Sequence, residues 1–154
     1  MKRLHLIIGD DDFLVSEEAK KVIGDGCGLE VIDSSNSTNA DLQLSDIREA
    51  DASFSTPPFL DPKKVTWWKE VGFLPGAKSS EAVKEALEKF AAKLASSPLP
   101  DNQHFIISGP KLLKGSKFEK NLSEQAAALR LEAGNYISAE EFINENIQRA
   151  EGEL

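Results

Sequence analysis

Three consecutive aspartates, Asp10, Asp11 and Asp12, are the residues whose position most directly suggests chemistry. They follow the short apolar run LHLII and Gly9, and a helical pattern begins directly after them. In open α/β sheets, ligands bind at the carboxyl ends of the strands, which is where this turn would lie. The turn could therefore hold a metal ion, be a degenerate nucleotide loop, or simply begin a helix.

A receiver domain is one alternative, because its first strand ends in paired acids that hold Mg²⁺ through oxygen ligands. Such a domain also needs a phosphoacceptor aspartate after the third strand and a lysine after the fifth. Here the third strand runs into KEVGFLPG and the fifth into GNYIS, so both residues are missing. Only Ser108, after the fourth strand, suits this chemistry, and a degenerate receiver-like signalling domain is the weaker interpretation.

An active P-loop ATPase is the second alternative, and it requires a glycine and a lysine that cradle the phosphates. Alignment on Gly9 places Leu14 and Val15 at those two positions, and only Ser16 matches. Three aspartates would also repel a polyphosphate. The segment therefore resembles a nucleotide loop only in its position.

A structural role explains the aspartates more simply. The carboxylate of Asp11 or Asp12 can accept hydrogen bonds from the free N–H groups of a helix that begins near Phe13. Acidic side chains there also interact favourably with the positive end of the helix dipole. We expect a helix start at this turn and no catalytic residue.

The other residues suited to catalysis or metal binding are isolated. His5 and His104 begin predicted strands with no spaced carboxylate or cysteine partner, so His104 is typical of a strand-edge histidine and not of a ligand. Cys27 is the single cysteine and lies in a glycine-rich turn, which excludes an internal disulfide. We predict no metal and no cofactor.

Composition favours a protein partner. The 154 residues are 40% hydrophobic and 29% charged, with a net charge of −8. A domain that binds nucleic acid by itself normally carries a basic face. No apolar run approaches the roughly 20 residues that span a bilayer. The basic N-terminus is followed too soon by acid to be typical of a signal peptide, so we expect a cytoplasmic protein.

Strand and helix patterns alternate along the chain, which predicts a doubly wound five-stranded parallel sheet with helices on both faces. The predicted strands are Leu4–Ile8, Glu30–Asp33, Lys64–Val71, His104–Ser108 and Leu129–Ala133. The predicted helices are Phe13–Ile23, Ala40–Ala50, Ser80–Ala95, Lys117–Ala128 and Ser138–Ala150. The adjacent Trp67 and Trp68 alternate across the third strand, so we expect both of its faces to be covered.

The segment STPPFLDP is the other unusual feature. Pro57 and Pro58 keep the chain extended, Phe59 and Leu60 follow at once, and Pro62 breaks the chain again. Two large apolar side chains on a stiff loop can enter a groove of a partner at low entropic cost. From the residues alone, packing of both side chains back onto the domain is the simpler interpretation.

Four stretches in succession resemble the N-terminal domain of the delta subunit of bacterial DNA polymerase III, a component of the sliding-clamp loader. They are LHLIIGDDDFLVSEEAKKV, FSTPPFLDPKKVTWWKEVGFL, HFIISGPKLLKGSKFEKNL and ISAEEFINENIQRA. The family is similar to AAA+ ATPases in fold but lacks the nucleotide site. That loss agrees with the missing glycine and lysine after Gly9.

The resemblance implies a function for the proline-flanked segment. In this family, a pair of large apolar residues before the third strand enters a hydrophobic pocket of the sliding clamp (the beta subunit). The matching residues are Phe59 and Leu60, with Pro57 and Pro58 before them. The implied function is to bind the clamp and help open it during DNA replication, without ATP hydrolysis by this subunit.

The resemblance also implies a domain organisation. Residues 1–137 would form the AAA+-like domain, and 138–154 a helix leading toward a lid domain that this chain does not contain. Association with the other clamp-loader subunits would use the missing domains. DNA would be contacted only indirectly, in the full complex, and no membrane is implied.

Overall fold

The fold was obtained as a computed structural model, which describes residues 3–123 and 126–131. Within them, strands and helices alternate as the sequence predicts. The strands are β1 (Leu4–Gly9), β2 (Gly28–Asp33), β3 (Lys64–Lys69), β4 (Gln103–Gly109) and β5 (Ala126–Leu131). The helices are α1 (Asp12–Ile23), α2 (Ala40–Phe54), α3 (Glu81–Ser96) and α4 (Lys117–Leu122).

All five strands form one parallel sheet in the order β2-β3-β4-β1-β5. Helix α1 packs on one face, around Val15, Ala19 and Ile23. Helices α2, α3 and α4 contribute to the larger core on the other face. The predicted fold class, a doubly wound five-stranded parallel sheet with helices on both faces, is confirmed.

Strand β3 shows why the sheet needs cover on both faces. Trp67 and Trp68 point to opposite faces, and both are buried. The indole N–H of Trp67 donates to the hydroxyl of Ser108 at 2.9 Å, and that of Trp68 donates to Ser34 at 2.8 Å. Each ring therefore fills a core without leaving its polar atom unpaired, as expected of buried tryptophans.

A cluster of aromatic rings lies within the larger core. Phe54, Phe90 and Phe105 meet edge to face, with centroids 5.8–6.2 Å apart. Trp68 contacts Phe90 in the same manner at 5.8 Å. The segment after β3 also enters this core, because Phe73 packs against Trp68 at 6.1 Å. The extension after the third strand is thus part of the core.

Several element boundaries differ from the predictions, and α2 extends to Phe54 instead of ending at Ala50. The helix predicted over Lys117–Ala128 is too long, since α4 ends at Leu122 and β5 already begins at Ala126. Alanine favours helices, but pairing with the buried strand β1 outweighs that preference. The strand predicted over Leu129–Ala133 therefore starts too late. Its predicted end, the helix Ser138–Ala150 and the boundary after residue 137 lie outside the described residues.

The third strand also ends earlier than predicted, at Lys69 and not at Val71. Glu70 adopts a φ of 56°, in the left-handed region that β-strands cannot contain. The chain therefore turns away from the sheet directly after Lys69.

None of the described helices is long and apolar enough to cross a membrane.

Candidate functional site

The acidic turn, residues 9–12, is a helix start. The carboxylate of Asp11 accepts hydrogen bonds from the backbone N–H groups of Phe13 at 3.0 Å and Leu14 at 3.3 Å. Asp12 begins α1 and lies at the positive end of its dipole. The interpretation of this turn as a cap is confirmed for Asp11.

Close packing against β5 explains why position 9 is a glycine. A side-chain Cβ at Gly9 would lie 2.7 Å from the carbonyl oxygen of Leu131, which is too close for any other residue. Gly9 pairs with Leu131 in the sheet, so glycine permits the close approach of β5 to β1. Ser16, the remaining residue of the degenerate loop, lies within α1.

A cavity of about 420 Å³ opens at the carboxyl edge of the sheet, beside the acidic turn. Asp10, Asp12 and Glu70 line it, together with Lys78 and Ser108. Within the described part of the chain, no group of three or more histidine, cysteine or acidic side chains could hold a metal ion. The excess of carboxylates over ammonium groups makes the cavity unfavourable for a polyphosphate.

The environments of Glu70 and Ser108 in this cavity differ. Burial raises the pKa of Glu70, and the nearby carboxylates of Asp12 and Asp33 raise it further. The hydroxyl of Ser108, which could have suited a receiver site, is buried and accepts the hydrogen bond from Trp67. The cavity therefore contains four of the residues that the sequence analysis singled out, Gly9, Asp10, Asp12 and Ser108, and the hydroxyl of Ser108 is engaged by Trp67.

The Phe-Leu loop, which we define as residues 57–62, lies at the opposite edge of the sheet. It joins α2 to β3 and therefore sits at the amino ends of the parallel strands. Phe59 is 91% exposed and Leu60 is 86% exposed. The alternative in which both side chains fold back onto the domain is wrong.

Contacts on either side hold the Phe-Leu loop in place. Before it, the N–H of Thr56 donates to the carbonyl of Ser53. After it, the carbonyl of Lys63 accepts a 2.8 Å hydrogen bond from the N–H of Gly28 at the start of β2. A Cβ at Gly28 would collide with the carboxylate of Asp61, so the loop packs closely on β2. The loop is therefore a supported projection with an apolar tip.

One pair of residues was not recognised in the sequence. His5 of β1 and His104 of β4 lie on neighbouring strands, with Nε2 of His5 and Nδ1 of His104 3.5 Å apart and the two rings stacked. Burial, His104 and Lys63 together lower the pKa of His5 from 6.5 to about 4. Their proximity depends on the pairing of β1 with β4, strands that are distant along the chain.

The family assignment follows from comparison with known sequences. The sequence model of the family described as "DNA polymerase III, delta subunit" matches residues 5–132. The chain belongs to this family. The match includes the acidic turn, the Phe-Leu loop and every described strand except the first residue of β1. No curated protein matches this delta-family chain.

One solved structure shows the same fold. The Bacillus subtilis DNA clamp loader delta protein is 20% identical, with a TM-score of 0.58 over 96% of this chain and 43% of that one. A DNA polymerase III gamma subunit-related protein from Thermotoga maritima is 14% identical, with a TM-score of 0.49 over 99% of this chain and 47% of that one. The similarity to the Thermotoga maritima structure is too weak to show a shared fold. The delta-family chain spans less than half the length of each structure.

Substitution of Asp11 tests the helix cap. Asp11→Ala should lower the free energy of unfolding by about 0.5–2 kcal/mol, because two N–H groups of α1 lose their acceptor. Asp10→Ala, at the exposed neighbouring position, is the matched control and should change it by less than about 0.5 kcal/mol. Urea unfolding measures both values. Equal effects of the two substitutions would contradict the cap.

The histidine pair predicts a pH dependence of stability. Because the pKa of His5 is 6.5 when unfolded and about 4 when folded, the unfolded chain binds more protons between these values. His5 therefore contributes stability that is present above pH 6.5 and is lost as the pH falls toward 4. Wild type should lose more stability than His5→Gln between pH 7 and pH 5 in urea titrations. Parallel pH profiles for the two proteins would refute this.

Proposed function

We propose that this chain is the part of a clamp-loader delta subunit that binds the DNA polymerase sliding clamp and helps to open it during DNA replication. The contact is made by Phe59 and Leu60, with Pro57 and Pro58 shaping the approach of the loop. Membership of the delta-subunit family supports this role. The observation that carries the proposal is the near-complete exposure of Phe59 and Leu60 on a supported loop.

Exposure of two adjacent large apolar side chains is unfavourable in an isolated domain unless a partner covers them. Aromatic and aliphatic anchors that enter a pocket dominate the energy of many protein interfaces. Pro57, Pro58 and Pro62 reduce the conformational freedom of the Phe-Leu loop, which lowers the entropy lost on binding. The chemistry of the loop therefore fits a hydrophobic pocket on a protein surface.

The proposed mechanism of opening requires no ATP at this subunit. A protein that binds the open or strained clamp more tightly than the closed ring shifts the clamp population toward opening. Consistent with this, Leu14 and Val15 follow the acidic turn at the positions where a P-loop has its glycine and lysine. The carboxylates of Asp10 and Asp12 further disfavour a nucleotide in the adjacent cavity.

The other proposed partners are the remaining clamp-loader subunits and, indirectly, DNA. Other clamp-loader subunits would associate with regions of the delta subunit beyond the span of this chain. The net charge of −8 disfavours independent binding to DNA, so DNA would be contacted in the full complex. The chain itself would act in the cytoplasm, where replication takes place.

Calorimetric titration with the sliding clamp of the same organism tests the contact. Phe59→Ala and Leu60→Ala should each weaken binding by about 1–3 kcal/mol, and the double variant should abolish measurable binding. The fold should persist, since both side chains are exposed. The matched control is Phe13→Ala with Leu113→Ala, which removes exposed apolar side chains elsewhere on the surface and should leave the affinity unchanged.

The outcomes of this titration are distinct. Binding by wild type and by the control, with loss in the folded double variant, supports both the partner and the site. Binding that survives in the double variant rejects Phe59 and Leu60 as the contact. A folded wild type that does not bind the clamp rejects the function proposed for this chain.

Clamp opening makes a separate prediction. A clamp variant whose subunit interface is weakened, so that it is monomeric, should bind this chain more tightly than the closed ring does. The reason is that no binding energy is then used to disrupt the ring. Titration of both clamp forms under identical conditions measures the difference. Equal affinities would leave clamp binding intact but reject a role in opening.

A further inference from the structure

The end of α2 has no glycine in the left-handed conformation. The last carbonyl groups of a helix have no intrahelical partner, and a glycine in the left-handed conformation often helps to satisfy them. Here the cap residue is Ser55, which has right-handed helical φ and ψ. Only Thr56 separates it from the Phe-Leu loop. The N–H groups of Ser55 and Thr56 close the last turn of α2 locally, and side chains from the sheet add further hydrogen bonds to this end.

Lys64 donates two hydrogen bonds at the junction between α2 and the Phe-Leu loop. It is the first residue of β3 and follows the Phe-Leu loop closely, yet its ammonium group reaches back across the loop. The Nζ atom donates to the carbonyl of Ser53 at 2.8 Å and to that of Thr56 at 2.6 Å. The side chain is only 13% exposed, and the carboxylate of Glu30 lies 3.9 Å from Nζ.

Neighbouring polar side chains fix the same helix end to the sheet. The buried amide of Gln103 donates to the carbonyl of Phe54 at 3.1 Å. The hydroxyl of Ser53 is 2.7 Å from that of Thr66 and donates to the carboxylate of Glu30 at 2.7 Å. Strands β2, β3 and β4 thus each contribute a side chain that holds the end of α2.

We propose that Lys64 is a positioning residue that holds the Phe-Leu loop in the conformation that presents Phe59 and Leu60. Its ammonium group joins Thr56, just before the loop, to β3, just after it. The loop between these points contains three prolines and therefore has few conformations when both of its ends are fixed. The consequence for clamp binding rests on the function proposed above, whereas the effect on the loop does not.

The mechanism is preorganisation. Without the ammonium group, the carbonyls of Ser53 and Thr56 lose a charged donor and the junction between α2 and the loop loosens. Phe59 and Leu60 would then sample many orientations, and binding would have to order them. Lys64 needs no contact with the partner to exert this effect.

The test compares Lys64→Met, which retains the aliphatic stem, with Lys64→Arg, which retains a charged donor. Lys84→Met is the matched control, because Lys84 is an exposed lysine on α3 whose ion pair with Glu81 is local. Lys64→Gln replaces the methionine variant if that variant does not fold. Each protein is measured free, by ¹⁵N NMR relaxation, and with the clamp, by surface plasmon resonance.

In the free proteins, the amide order parameters of Phe59 and Leu60 should be near the rigid value of about 0.85 in wild type and in the lysine control. They should fall toward the flexible range, below about 0.6, in Lys64→Met and recover in Lys64→Arg. Unchanged order parameters in a folded Lys64→Met variant would overturn the proposal. This readout requires no clamp.

With the clamp, Lys64→Met should weaken binding by about tenfold, and Lys64→Arg should restore most of it. If the Lys64→Met variant has a more flexible loop but binds the clamp as tightly as wild type does, the role of Lys64 in clamp recognition is overturned. If wild type fails to bind, the proposed function fails, and the order parameters still decide whether Lys64 holds the loop. The two failures are thereby distinguished.

Discussion

Burial of β3 on both faces is the constraint on which the rest of the structure depends. Trp67 fills the core beneath α1, and Trp68 fills the core beneath the other helices. The strand pairs with β2 on one side and with β4 on the other, so it cannot shift without disrupting both cores. A change of register by one residue would exchange the faces of the two tryptophans. Packing therefore fixes the position of β3 in the sheet.

The two candidate sites, the Phe-Leu loop and the cavity beside the acidic turn, lie at opposite ends of β3. The Phe-Leu loop enters the strand at the amino edge of the sheet, and Glu70 leaves it at the carboxyl edge beside the acidic turn. At the carboxyl edge, Asp11 caps α1 and Ser108 accepts a hydrogen bond from Trp67. At the amino edge, polar groups hold the end of α2 while the apolar side chains of the adjoining loop face solvent. This division favours protein recognition at the amino edge over chemistry at the carboxyl edge.

The fold class could be predicted from the sequence because it depends on local patterns of apolar residues. Alternating apolar strands and amphipathic helices predict a parallel sheet without knowledge of strand order. The capping role of Asp11 was also predictable, since a cap acts on N–H groups within three residues. The boundary between α4 and β5 was not, because Ala126 and its neighbours favour a helix locally and become a strand only by pairing with β1.

By itself, then, the sequence determined the alternation of elements, a helix start at the acidic turn with Asp11 or Asp12 as its cap, and the position of Phe59 and Leu60 on a proline-flanked segment. It left open whether those two side chains are buried, since exposure depends on what the rest of the chain places around them. Tertiary structure alone decided their exposure, the proximity of His5 to His104, and the reach of Lys64 to the end of α2. These features depend on strand order and register, which bring together groups that no local pattern connects.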